Sequence, residues 1–282
     1  MDKLKTEHIY QGNCIDVLKD MPSESIDCVV TSPPYWSLRN YQEEEQLGLE
    51  ETPEEFVANL VKVFSEVKRV LKSSGSLWLN LGDTYYNKSL AGIPFRVAFA
   101  LQADGWYLRQ DIIWNKPRVM PEGVKDRCTK SHEYIFLLTK SPKYFYDQDS
   151  IREPNKSFED YKKRKNKVFN SNPSKGGPNG NQLLGKERIS FFNEKGRNKR
   201  SVWTITTKPF KEAHFATFPI ELPITCIKAG CPKGGIVLDP FFGSGTSGLA
   251  AQELHRHWVG IELNPEYIEI ANRRLGQTNL FI

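Results

Sequence analysis

Long apolar runs are missing from this chain of 282 residues. No stretch approaches the ~20 consecutive apolar residues that a membrane-spanning helix requires. The opening residues, Met1 to Asn13, carry charges with no apolar segment behind them, which argues against a secretory signal. A cytoplasmic protein with no membrane partner is therefore expected. Cysteine is sparse: Cys14, Cys28, Cys128, Cys226 and Cys231 show no Cys-x-x-Cys spacing and no paired histidines nearby. That excludes the usual structural zinc patterns, so no metal is expected, and the odd count reads as reduced, buried and inert thiols. Internal repeats are absent as well.

What is present is ordinary for a globular chain, 39% hydrophobic and 12% aromatic. At roughly 150 residues per domain, the length allows one large α/β domain and a smaller elaboration. The formal net charge is only +5, yet it is unevenly spread. Residues 151–211 hold 16 of the 39 basic residues but 5 of the 34 acidic ones, a local +11 against −6 for the remainder. Such a concentration is the footprint of a polyanion contact, or else of a solvated basic loop.

Short apolar runs alternate with helical periodicity over most of the chain. Ile26 to Val30 reads as a strand buried on both faces, and Pro33-Pro34 ends it, because proline offers no N–H to a ladder. A helix is expected at about 53–72, with Thr52 as its N-cap, Pro53 opening it and Glu55 closing a capping box. Phe56, Leu60, Val63, Val67 and Leu71 mark its inner face, and Ser73-Ser74-Gly75 its stop. Strands follow near 76–81, 107–114 and 133–139, with a helix near 94–103 between the first two. After residue 150 the alternation ceases, and the stretch to 211 is too long for an ordinary connection. It resumes with a helix started by Pro219 and ended by Gly230, then the strand Gly235 to Asp239 and a helix at 246–254. The strand Trp258 to Glu262 and a last helix opened by Asn264-Pro265 complete the pattern. The fold class expected is α/β, a doubly wound and mostly parallel sheet with one inserted basic region. Three segments result: 1–150, 151–211 and 212–282.

Two loops at expected strand ends carry chemistry. In Asp239-Pro240-Phe241-Phe242-Gly243-Ser244-Gly245-Thr246, a buried strand delivers a carboxylate, then a glycine turn, then a helix N-terminus. Small residues let the backbone approach a ligand, and free N–H groups with the helix dipole favour an anionic group. Glu262 ends the following strand, where an acid can hold the two hydroxyls of a ribose. The second loop, Thr31-Ser32-Pro33-Pro34-Tyr35-Trp36, presents a hydroxyl, proline-stiffened carbonyls and an aromatic ring at the ligand-binding edge of such a sheet. Without the first loop it would equally suit a proline-rich turn with a packing tyrosine.

Together these motifs resemble the amino-methylating DNA methyltransferases. Ser32-Pro33-Pro34-Tyr35 is similar to the catalytic tetrapeptide of that family, and Asp239 to Thr246 to its cofactor loop. The catalytic motif comes first and the cofactor loop near the C-terminus, which resembles the permuted beta arrangement, with target recognition between them. The resemblance runs from about Ile9 to Leu275. It implies a Rossmann-like fold that uses S-adenosyl-L-methionine, and double-stranded DNA as partner, with a companion restriction endonuclease acting separately if there is one. Residues 1–150 would be the catalytic half, 151–211 the target-recognition region and 212–282 the cofactor-binding half. Asn13 and Cys14 resemble the segment that contacts the cofactor's adenine, although Asp is frequent where Asn13 stands; an Asn oxygen still accepts from an amino group. Thr217, within His214-Phe215-Ala216-Thr217-Phe218-Pro219, resembles the helix entry beside the cofactor. Ser131-His132-Glu133-Tyr134 matches a further family block, read as structural.

An amino group conjugated to a base is a poor nucleophile, because its lone pair is delocalised. The Ser32 hydroxyl and the Pro33 carbonyl are the candidates to pull its N–H bonds, with Tyr35 stacking on a base flipped from the duplex. Transfer is then direct and gains mainly from positioning. Asp83, at the end of the strand expected beside the catalytic one, is a candidate to polarise Ser32 or to take the released proton; a capping aspartate is the other reading. Ser at position 32 leans towards cytosine N4 over adenine N6 in the family. Methylation at ring carbon 5 needs a cysteine adduct, usually from a Pro-Cys dipeptide, which is absent. Protein-glutamine and RNA methyltransferases commonly have Asn in place of Ser32 and the opposite motif order. A non-catalytic DNA-binding module would explain the basic segment but not two ligand-edge loops. Within that segment Lys162, Lys163, Arg164, Lys165, Lys167, Arg197, Lys199 and Arg200 are expected to meet phosphates. Asn170, Asn179 or Gln182 are the candidates to read bases.

Overall fold

A computed structural model describes residues 4–38, 40, 43, 45–155, 193, 195–207 and 218–278. They fall into two compact units, one of residues 1–147 with 201–282, the other of residues 148–200.

The larger unit runs β1 (His8–Gln11), α1 (Cys14–Asp20), β2 (Ile26–Thr31), α2 (Pro53–Val70) and β3 (Leu71–Leu81). A small hairpin of β4 (Tyr85–Tyr86) and β5 (Ser89–Leu90) precedes α3 (Ile93–Ala103), β6 (Tyr107–Asn115), β7 (His132–Thr139) and β8 (Val202–Thr204). It closes with α4 (Glu221–Gly230), β9 (Ile236–Asp239), α5 (Thr246–Glu253), β10 (His257–Glu262) and α6 (Pro265–Thr278). One sheet holds eight strands in the order β1-β10-β9-β2-β3-β7-β6-β8. The first five are parallel. β7 runs antiparallel to both β3 and β6, and β8 is parallel to β6.

Local signals explain most boundaries. Thr52 accepts from the Glu55 N–H while Glu55 reaches back to the Thr52 N–H, the reciprocal capping box read from the sequence. Ser73-Ser74-Gly75 does not stop α2, which ends at Val70. These residues lie inside β3, where pairing with β2 slips from Ile26–Leu71 to Cys28–Ser76. Gly75 sits so close to Leu71 and the Asp27 carbonyl that a Cβ would lie 2.6 and 3.0 Å from them. It serves a tight irregularity in a strand. Pro219 likewise stands just before α4, whose cap is Ile220.

Along β3, Leu77, Leu79 and Leu81 join the core formed with Phe56, Leu60 and Val63 of α2 and Val97 and Leu101 of α3. Trp78 points the other way, to α4, where a Cβ on Gly230 would come 2.4 Å from its indole nitrogen. Successive strand residues face opposite sides, so the sheet is covered on both, by α1, α2 and α3 in one row and α4, α5 and α6 in another. This is the doubly wound α/β fold expected. Cys28, Cys226 and Cys231 are buried, but Cys128 is exposed and Cys14 half-buried, so burial is not general to the cysteines. No helix among the described residues is long and apolar enough to cross a membrane.

The smaller unit is narrower than the basic segment seen in the sequence, because Val202–Thr204 belongs to the sheet. Its described residues form a clamp. Glu153 and Arg197 pair as an antiparallel bridge, and the Arg197 guanidinium holds the Glu153 carboxylate at 3.0 Å. Arg152 donates to Asp149 and to the Gly196 carbonyl. A Cβ at Gly196 would come 2.4 Å from the Glu153 carbonyl, and its φ is +116°, so the bridge needs glycine there.

Candidate active site

From β2 the chain passes through α2 to β3 on one side, and from β9 through α5 to β10 on the other. Where two such halves part, the loops diverge and leave a crevice at the carboxyl ends of the strands. Both motif loops begin at that place. The Thr31 hydroxyl donates to Asp239 Oδ1 at 2.6 Å, tying the end of β2 to the end of β9. A cavity of about 280 Å³ opens there. Ser32 to Tyr35, Asp239 to Ser244, Thr246, Glu262, Asn13 and Cys14 all line it. Two loops far apart in the chain thus share one hollow.

The cofactor-loop acids have defined tasks. Asp239, buried, also accepts from the Phe241 N–H at 3.0 Å and the Ser247 hydroxyl at 2.7 Å. Burial pushes its carboxyl up to about 7, against the pull of its hydrogen bonds to Thr31, Ser247 and the Phe241 amide. Its oxygens are spent on shaping the turn. Glu262 accepts from the Gly243 N–H at 2.7 Å and the Asn264 N–H at 2.9 Å, and burial raises its carboxyl too. Gly243 has φ +51° and open space where a Cβ would stand. Gly245, outside the lining, has φ +81°, and a Cβ there would meet that of Ala271 at 3.1 Å; it serves the packing of α6. Phe242 stacks on Trp258 beneath the loop at 5.3 Å. Asn13 caps α1 by accepting from the Ile15 N–H at 2.9 Å, leaving a second lone pair on that oxygen. Cys14 beside it has its thiol pushed up to about 12 by burial, so it is an uncharged lining group.

The turn after β2 rests on a polar floor. Ser32 Oγ lies 3.4 Å from Tyr35 Oη, and Tyr35 donates to Glu133 Oε2 at 2.7 Å. Asn80, buried in β3, donates to Tyr35 Oη at 3.0 Å and to Glu133 Oε2 at 2.8 Å. Lys116 pairs with Glu133 Oε1 and lies over the Trp114 ring at 4.2 Å. Gly82 has no side chain because the Tyr35 ring occupies that space; a Cβ would stand 2.5 Å from Cε2.

Asp83 is placed elsewhere. Its Oδ1 accepts from the Thr84 and Ile93 N–H groups, both at 3.0 Å, at the entry to α3. It is not in the cavity lining and has no hydrogen bond to Ser32. This is the capping role, and it arises because β3 ends where two backbone donors need an acceptor. Arg197 is committed to Glu153, and Lys199 lies 4.0 Å from the same carboxylate. Arg200 is described within the smaller unit. Thr217, Lys162, Lys163, Arg164, Lys165 and Lys167, with Asn170, Asn179 and Gln182, lie outside the described residues.

Several lining groups escaped the sequence reading. Asn80 and Glu133 are polar residues inside apolar strands, a signal that was available, since a buried polar group needs a reason. Glu133, read as structural, reaches the cavity. Arg274 of α6 reaches back to Ser244 Oγ at 2.6 Å and Thr246 Oγ1 at 3.2 Å, bracing the glycine turn. Nothing in its local sequence announced that.

Residues 26–273 match the model of the N6/N4 DNA methylase family, and the chain belongs to it. Within that family it is 46% identical to the Type II methyltransferase M.XycI of Xanthomonas campestris pv. cyanopsidis, over 98% of this chain and 90% of that protein. It is 42% identical to M.SmaI of Serratia marcescens, over 96% and 91%. Among solved structures, a DNA cytosine-N4-specific methyltransferase, PvuII, superposes with a TM-score of 0.70 at 22% identity, covering 94% of this chain and 85% of that one. A DNA modification methylase of Thermus thermophilus, solved with S-adenosyl-L-methionine, gives 0.63 at 26% identity, covering 97% and 96%.

Proposed function

We propose that the protein methylates the exocyclic N4 of cytosine within a specific sequence of double-stranded DNA, as the modification enzyme of a Type II restriction–modification system. The observation that carries this reading is the single cavity shared by the Ser32–Tyr35 turn and the Asp239–Thr246 loop. The lining suits S-adenosyl-L-methionine, with a positive-φ glycine turn for close approach, a carboxylate at Glu262 for the ribose hydroxyls and Asn13 with Cys14 for the adenine. Phe241, Ser244 and Thr246 complete that wall, with Gly243 and Gly245 allowing the turn. Bound there, the cofactor supplies an activated methyl group.

The chain's own residues do the rest. Ser32 Oγ and the Pro33 carbonyl accept the two amino N–H bonds of the target base, so that its nitrogen turns a lone pair outward. Pro33 and Pro34 hold that carbonyl in place, because proline fixes its own backbone angle. Tyr35 stacks on the base, which must leave the duplex to reach the cavity at a cost of a few kcal/mol. The basic segment supplies phosphate contacts that offset this cost, and the enzyme works in the cytoplasm, where DNA and any companion endonuclease are found. Cytosine is favoured by Ser32; adenine N6 is the second reading, because the family embraces both bases. Mass spectrometry of nucleosides from cells expressing the protein tests this: N4-methylcytosine is expected, and N6-methyladenine as the sole product overturns the cytosine assignment. Calorimetry with the cofactor excludes a mere DNA-binding module if heat of binding is seen.

A further inference from the structure

The hydrogen bonds on the cavity floor have a direction, and it follows from counting hydrogens. Beside the Lys116 ammonium, Glu133 is a carboxylate, an acceptor with no hydrogen to give. Tyr35 has one hydroxyl hydrogen, and the 2.7 Å contact spends it on Glu133. The Tyr35 oxygen is then an acceptor towards Asn80 Nδ2 at 3.0 Å and Ser32 Oγ at 3.4 Å. Asn80 obeys the same rule: turned over, its oxygen would face the Glu133 oxygen 2.8 Å away. As it stands, Asn80 Oδ1 is buried with no hydrogen-bond partner among the described residues. The fold tolerates that orphan in order to keep both amide hydrogens on acceptors. At the end of the chain, Ser32, which lines the cavity, has an acceptor on the protein side for its hydrogen, which leaves its lone pairs available to the cavity. The 3.4 Å contact is long, so it biases the Ser32 hydroxyl without locking it: Tyr35 can receive that hydrogen but has none to give back.

We propose that Glu133 is a positioning residue that sets the polarity of this chain, so that Ser32 meets the target base as an acceptor. The site then prefers an exocyclic amino group to a carbonyl at the same ring position, because a carbonyl would require Ser32 to give up its contact with Tyr35 and turn its hydrogen into the cavity. Amino-versus-keto discrimination is thus written two side chains away from the base. This rests on the reading of the chain as an amino-methylating enzyme.

Two duplexes of the methylated sequence test it, one with cytosine and one with uracil at the target base (adenine and hypoxanthine if the base proves to be adenine). Affinities are measured for the full-length protein with S-adenosylhomocysteine, and each variant's cytosine-to-uracil ratio is compared with that of the wild type, so that differences in base pairing cancel. Glu133→Gln should move the ratio at least 10-fold towards uracil, and lower the methylation rate while cofactor affinity stays within about 3-fold. Tyr35→Phe, which removes only the middle oxygen, should move the ratio the same way, and it stands in should the first variant fold poorly. Ratios unchanged in both variants, even with lost activity, would reduce Glu133 to a scaffold and overturn the proposal. Wild-type protein that transfers no label from cofactor to DNA would instead sink the enzyme reading, and this inference with it.

Discussion

Ser32 and Asp239 show two ways a single side chain serves the same hollow, one facing the cavity and one facing the fold. Ser32→Ala should remove an acceptor needed as the amino nitrogen gives up its conjugation. A loss of about 10²–10³-fold in methylation rate is expected, by analogy with removal of one oxyanion donor. Cofactor affinity should be unchanged by calorimetry; a rate within 3-fold of wild type would remove Ser32 from the chemistry. Asp239 yields a pH prediction. Its folded carboxyl titrates at about 7, well above the usual range. The stability it contributes is therefore fully present below about pH 4 and is lost as pH rises through about 7, where the native state must hold a buried ion. Asp239→Asn should gain on the wild type between pH 5 and pH 8, read as the difference of urea midpoints in the absence of cofactor. A difference that is flat, or that runs the other way, contradicts this. Both residues stand in recognisable motifs, and so were legible. Asp83 stayed open between two readings because a carboxylate at a strand end looks alike whether it faces a ligand or two backbone N–H groups; only the start of α3 decides. Glu133 and Asn80 were visible as polar interruptions, but their meeting is a product of the β3–β7 pairing, which no local pattern encodes.

The elements were legible where a boundary carries its own chemistry. The capping box of α2 and the Asn264 cap of α6, whose Oδ1 accepts from Glu266 N–H at 2.8 Å, lie where the side chains predict. Thr52→Ala should cost about 1 kcal/mol of stability in denaturant unfolding and leave methylation intact, as a cap outside the cavity lining would. Loss of activity without loss of stability would show that α2 does more than hold the core. The end of α2 was missed because Ser and Gly also mark irregular strands, and strand direction was invisible because alternation is the same in both senses. The glycine turn joins element to site. Gly245→Ala meets both the left-handed backbone and the Ala271 contact at 3.1 Å. It should destabilise by about 1–3 kcal/mol, and cofactor affinity should fall with it. Unchanged thermal stability would mean that α6 yields at no cost.

At the scale of the whole molecule, charge and ligand linkage become measurable. If the basic segment meets phosphates, log affinity for DNA should fall linearly with log salt, by about 0.9 per contact. An affinity indifferent to salt between 50 and 200 mM would refute the electrostatic role. The composition of residues 151–211 pointed to a polyanion, but it could not show that Val202–Thr204 within it joins the sheet as β8.

The Glu153–Arg197 bridge has a consequence for how this chain can vary. It fastens together two points 44 positions apart, and it does so with the Gly196 backbone pressed against the Glu153 carbonyl. Position 196 is thereby closed to other residues: Gly196→Ala should strip the Glu153 and Arg197 amides of exchange protection, whereas Gly123→Ala, with open space at its Cβ, should leave it intact.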